Sequence, residues 1–133
     1  MGVTRPLYNT IGSGYGAVRQ PDPRIAAQIR LAIGDANTLV NVGAESGSYE
    51  PDDVLTVAVE PSDVVVAQRS PLAAPVVQAR AEQLPFRDGA FDVAMAIFTV
   101  HHWSDPVLGI AELQRVSQRQ VVMTWDPTIF EKT

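Results

Sequence analysis

Thr38-Leu-Val-Asn-Val-Gly-Ala-Glu-Ser-Gly-Ser-Tyr49 is the stretch on which the reading of this chain turns. Leu39, Val40 and Val42, with Thr38 ahead of them, form a short apolar run of the length of a buried strand. The run enters Gly43 and, four residues later, Gly47. Strands leading into such glycines occur where backbone must pass close to a nucleotide-like ligand, because a Cβ would block the turn or the ligand. Two glycines after a strand also make an ordinary turn, so the neighbouring segments must decide.

The chain has 133 residues, the size of one domain. With 46% apolar residues it can bury a sizeable core. A formal charge of −5 argues against a general nucleic-acid surface or an anionic membrane as partner. No apolar stretch approaches a membrane span, and the N-terminus lacks a signal pattern. With no cysteine, disulfides and thiolate metal sites are excluded, and a cytoplasmic protein is expected.

Outward from the pivot, residues 1–21 are polar and glycine-rich and end at Pro21. Asp22-Pro23 is a helix start, with Asp as N-cap. Ile25, Ile29 and Ile33, with Ala26 and Leu31 nearby, predict an apolar helical stripe that stops at Gly34. After the turn Glu50–Asp53, Val54–Glu60 reads as a second strand ending on an acid, and Pro61–Gln68 as a short helix. Val76–Ala79 is a third strand, Arg87–Ala90 a turn and Phe91–Ile97 a fourth strand. A helix beginning at Asp105-Pro106 is expected to turn Val107, Leu108, Ile110, Leu113 and Val116 inward. Gln120–Trp125 is the fifth strand. Short, mostly non-alternating apolar strands between helices predict an α/β fold with a parallel sheet covered on both faces. Ligands in such sheets sit at the carboxyl ends of the strands. The glycine loop, Glu60 and the loop after strand three converge there.

In this order and spacing, Val40–Gly47, Val57–Ser62, Ala81–Phe86, Phe91-Asp92 and His101-His-Trp103 resemble the class I S-adenosylmethionine-dependent methyltransferases, in particular the small-molecule branch. The resemblance spans about Tyr8 to Trp125. It implies a Rossmann-like, doubly wound sheet in one domain, with residues 1–21 as an N-terminal lid and 22–133 as the core. It implies S-adenosylmethionine as cofactor and a small-molecule methyl acceptor. Gly43, Ala44 and Gly47 would frame the methionine part of the cofactor. Glu60, followed by Pro61, would accept hydrogen bonds from the ribose hydroxyls, and Ala81 and Glu82 would lie near the adenine. Tyr15, with Tyr8 and Arg19, falls in the lid. His101 follows strand four beside the reacting centre and is the candidate base; the adjacent His101-His102 pair lacks the spacing of a metal site, so no metal is expected. Asp92 is expected to be structural.

Two departures stand against these matches. The family's loop normally has a third glycine where this chain has Glu45, whose bulk and charge oppose the cofactor's carboxylate; Asn41 replaces a frequent acid. The family's sheet has seven strands, whereas this chain stops at Thr133 after the fifth, so an open sheet edge and a homo-oligomer are expected. The leading expectation is methyl transfer to a small molecule. Its rivals are a non-catalytic methyltransferase-like protein acting by binding or self-association, and a nicotinamide-dependent oxidoreductase, disfavoured because the loop lacks the dinucleotide spacing.

Overall fold

The computed structural model describes residues 22–45 and 47–124. Tyr8, Tyr15, Arg19 and Trp125, and with them the lid, lie outside the described residues.

The first helix, α1 (Pro23–Ile33), starts where the sequence places it: the Asp22 side chain accepts from the Arg24 N–H, and Pro23 needs no partner in the first turn. Gly34, at φ 63°, ends it by donating its N–H to Arg30 O. The last carbonyls are capped from far along the chain. Arg119 donates to Ala32 O and Ile33 O at 2.9 and 2.8 Å.

Five strands follow: β1 (Thr38–Val42), β2 (Leu55–Val59), β3 (Val76–Val77), β4 (Phe91–Ile97) and β5 (Ser117–Met123). They form one sheet in the order β3-β2-β1-β4-β5, and every pairing is parallel. Val40 in β1 pairs with Val57 of β2 on one side and Ala94 of β4 on the other. Being central, β1 is apolar on both faces. Val40 and Val42 pack with Ala94, Ala96, Leu113 and Val116 under the helix α3 (Pro106–Val116). Leu39 packs with Val93 and Met95 under Ile29 and Ile33 of α1. The order of neighbours reverses between β1 and β4, and such a switch point is where sheets of this kind place a ligand crevice, at the carboxyl ends of the two strands.

Three apolar residues that the sequence places on or beside the inner helix faces are exposed instead. Leu31 on α1 and Val107 on α3 are 82% and 81% exposed, and Leu108 is also exposed. At 100° per residue Leu31 lies about 200° from Ile29, and Val107 equally far from Gly109. The inward face of α3 is Gly109, Ile110, Leu113 and Val116; Gly109 is buried because the Trp103 ring lies where its Cβ would be. A short helix α2 (Asp63–Gln68), capped by Ser62, buries none of its residues.

The third strand is shorter than expected, and the fifth starts three residues earlier. Ser117 is both C-cap of α3 and first residue of β5, its hydroxyl donating to Leu113 O, so no loop separates helix from strand. Asp92 is structural, as expected: its Oδ2 accepts from Asn37 N and Thr38 N, while Thr38 Oγ1 accepts from Asp92 N. The expected turn at residues 87–90 is fastened by Arg115, which reaches Leu84 O, Phe86 O, Asp88 and Glu112. The Arg115 guanidinium holds the Glu112 carboxyl below its ordinary range.

Candidate functional site

The loop after β1 is bound to the end of β2. Gly43 N and Ala44 N both donate to Val59 O, at 2.8 and 3.0 Å, and Glu45 N donates to Glu60 Oε1 at 2.9 Å. Three consecutive amides therefore point at one strand tip. Gly43 and Gly47 have φ of 73° and 86°, backbone that favours glycine. A Cβ on Gly43 would lie 2.2 Å from Thr99 Oγ1, so this glycine also lets the ends of β1 and β4 close together. Gly47 similarly yields space to the Glu50 carboxylate.

Glu60 is buried, 5% exposed. Its Oε1 accepts from Glu45 N and its Oε2 from Ser62 N at 3.1 Å. Each carboxylate oxygen offers two acceptor sites, so among the described residues one lone pair on each remains. That chemistry suits a ligand with two neighbouring hydroxyls. Pro61, next in line, is exposed, and its carbonyl accepts from Gln78 Nε2.

Glu45 stands where the resemblance leads one to expect glycine, and its backbone is left-handed, with φ of 49°. A non-glycine residue held there costs on the order of 1–2 kcal/mol. Its carbonyl accepts from Arg69 Nη1 at 2.9 Å. Its carboxylate acts on His101 across the mouth of the crevice. Partial burial, and then the charge of the neighbouring His102, hold the His101 pKa below the ordinary histidine value, and Glu45 opposes both. The two imidazoles lie with ring centres 3.9 Å apart in the short 3-10 turn Val100–His102. Both are exposed, and among the described residues no group of three potential ligands could hold a metal ion.

The loop after β3 places Ala81 and Glu82 differently. The Ala81 side chain is buried in the core with Val59 and Leu84, so only its backbone could face a ligand. Glu82 accepts from Asp105 N at 3.0 Å, which lowers its pKa, and lies 3.8 Å from Arg80. Glu82 thus ties its own loop to the start of α3, just past the histidines.

Behind the glycine loop is a buried ion pair that no spacing in the sequence announces. Arg69 Nη2 meets Glu50 Oε1 at 2.9 Å, with side chains 3% and 5% exposed. Glu50 also accepts from Asn41 Nδ2 at 2.8 Å and from Ala74 N at 3.2 Å. The one clue was Asn41, an amide inside an otherwise apolar strand.

The sequence profile of the methyltransferase domain matches residues 40–123, from the pivot strand to the end of β5. The chain belongs to the methyltransferase-domain family. The fold is that of class I S-adenosylmethionine-dependent methyltransferases in solved structures. A protein of Anabaena variabilis, assigned as a methyltransferase of an antibiotic biosynthesis pathway, is 28% identical with a TM-score of 0.73 over 81% of this chain. An S-adenosylmethionine-dependent methyltransferase of Thermotoga maritima is 24% identical, with a TM-score of 0.62 over 69% of this chain, and shows the fold alone. These alignments cover 47% and 44% of the two structures, so this methyltransferase-domain chain spans less than half of each. The uncharacterized protein YafE of Escherichia coli is 41% identical over 39 residues, which are 29% of this chain and 19% of YafE. No helix among the described residues is long and apolar enough to cross a membrane.

Proposed function

We propose that this methyltransferase domain binds S-adenosylmethionine at the crevice between β1 and β4 and serves methyl transfer to a small-molecule acceptor. The observation that carries this reading is Glu60, a buried carboxylate fixed by two backbone N–H groups, with one acceptor site left on each oxygen among the described residues. These residues fit the adenosyl end of the cofactor. When bound, S-adenosylmethionine supplies a methyl group already activated by its sulfonium. What remains for the protein is positioning and exclusion of water. Glu60 holds the ribose hydroxyls, and the backbone around Gly43 and Ala44 sets how closely the ligand approaches. His101, whose pKa is held below the ordinary histidine value by partial burial and the neighbouring His102, accepts a proton where the acceptor must lose one.

Calorimetric titration with S-adenosylhomocysteine tests the reading, with NAD as the control. Glu60→Ala is expected to weaken binding by on the order of 1.5–3 kcal/mol, the loss of charge-assisted bonds to two hydroxyls. Unchanged affinity would remove Glu60 from the site.

One observation favours a second reading, a methyltransferase-like protein that acts by binding rather than catalysis. Glu45 sets a negative charge beside the place proposed for the cofactor's own carboxylate. At an effective dielectric of about 20, like charges some 5 Å apart repel by roughly 3 kcal/mol, an upper figure before screening. Glu45→Gly is therefore expected to tighten S-adenosylhomocysteine binding by about tenfold or more. It should also lower the His101 pKa, since the carboxylate that props it up is gone. Stability should shift by less than about 1 kcal/mol, because relief of the left-handed backbone is offset by the freedom glycine gains when unfolded. NMR titration of the imidazole reads the second effect. An unmoved His101 together with unmoved affinity would show that the Glu45 side chain bears on neither.

A further inference from the structure

We propose that Arg69, Glu50 and Asn41 form the positioning unit of the glycine loop, fixing the backbone at Glu45 and Gly47 for an adenosyl ligand that none of the three touches. This rests on the cofactor reading above.

A single guanidinium holds both ends of the loop's last turn. Arg69 Nη1 takes the carbonyl of Glu45, the residue with left-handed backbone. Its Nη2 takes Glu50 and also Ala74 O at 3.0 Å, on the approach to β3. Glu50 in turn lies against Gly47, where a Cβ would come within 2.7 Å of Oε1. Residue 45 is thus pulled from one side and residue 47 packed from the other by one ion pair. The pull is transmitted directly to Glu60, because the amide of Glu45 is the group that donates to Glu60 Oε1. Moving the Glu45 peptide would displace a bond that aims the Glu60 carboxylate.

Asn41 sets the charge of this unit. It is buried, and its amide donates to Glu50 Oε2. An aspartate there would place two carboxylates in contact with only one guanidinium to neutralise them. The amide at 41 and the acid at 50 are therefore matched. The one buried carboxylate of this unit sits at position 50, opposite an amide at position 41. Arg69 could not be replaced by lysine without loss, since a point charge cannot span Glu45 O, Ala74 O and Glu50 together.

The test uses the full chain, S-adenosylhomocysteine titration, amide hydrogen exchange and thermal unfolding. Arg69→Lys keeps the charge opposite Glu50 and loses the fork. It is expected to retain cooperative unfolding, exchange the Glu45 and Gly47 amides about tenfold faster or more, leave β4 amides unchanged, and lose about tenfold in affinity. Asn41→Asp should show the same loss. Adding Glu50→Gln to Asn41→Asp should restore affinity and loop exchange to within about threefold of wild type, because the single negative charge then sits on the other member of the pair. Such a rescue is not produced by a site that matters only for packing. The proposal is overturned if Arg69→Lys matches wild type in both loop exchange and affinity, or if the double variant is no better than Asn41→Asp. Should wild type bind no S-adenosylhomocysteine, the cofactor reading falls with it. Loop exchange and its rescue then decide whether the three residues set the loop at all.

Discussion

Glu50→Ala is expected to cost about 3–5 kcal/mol of stability, which for a domain of ordinary stability is a third or more of the total. The reason is what remains after the change, more than what is removed. Arg69 would keep its charge with a side chain that is 3% exposed, and its Nε is already buried without a hydrogen-bond partner. Asn41 Nδ2 and Ala74 N would lose their acceptor at the same time. The Arg30–Asp53 pair is shorter, at 2.6 Å, yet its side chains are 48% and 57% exposed. Water replaces the partner there, so Asp53→Ala should cost no more than about 1 kcal/mol. Burial, and not distance, ranks the two. Urea unfolding of both variants measures the contrast; equal, small losses would mean that water reaches Arg69 freely.

Gly43→Ala is expected to destabilise by about 2–5 kcal/mol, adding a left-handed backbone penalty to overpacking. The new methyl would meet Thr99 Oγ1 at 2.2 Å and Thr99 Cβ and Cγ2 at 2.8 Å. Thr99 is buried and branched at Cβ, so it cannot rotate all three atoms away. Either the tip of β1 or the tip of β4 must shift, and the crevice between them widens. In a Thr99→Ala background the hydroxyl and methyl are gone, and the cost of Gly43→Ala should fall by more than about 1 kcal/mol. Equal costs in both backgrounds would place the strain in the backbone torsion alone.

The strands were legible because central parallel strands are apolar on both faces. Leu39–Val42 and Phe91–Ile97 are apolar runs broken only by Asn41 and Asp92, and the structure begins and ends them there or within a residue. Helix starts were legible from Asp22 and Asp105, each accepting a backbone N–H in its first turn, whereas the short helix read from Pro61 starts two residues later under a Ser62 cap. The start of β5 was hidden, because Ser117, Gln118 and Arg119 on the outer strand are polar and carry no apolar signal. Glu60 was legible as an acid at a strand tip, but its two amide donors were not. Glu50 and Arg69 were illegible as a pair: each reads as a surface charge, with a whole strand between them. Such partners are set by the path of the chain in space, which no local period records.

The parallel order of the sheet also determines when this protein can fold. Thr38, at the start of β1, is tied to Asp92, 54 positions later, and the cap on α1 comes from Arg119, 87 positions beyond Ala32. A ribosome therefore releases the central strand long before its second neighbour exists. Until Phe91–Ile97 emerges, β1 has one open edge, and its face away from α1 still lacks the helix α3 that covers it. Long closures of this kind must form before their contacts reward them, which places the chain among slow folders of high contact order. Nascent chains ending between β3 and β4 are then the species most exposed to mispairing, well before any ligand can help to hold them together.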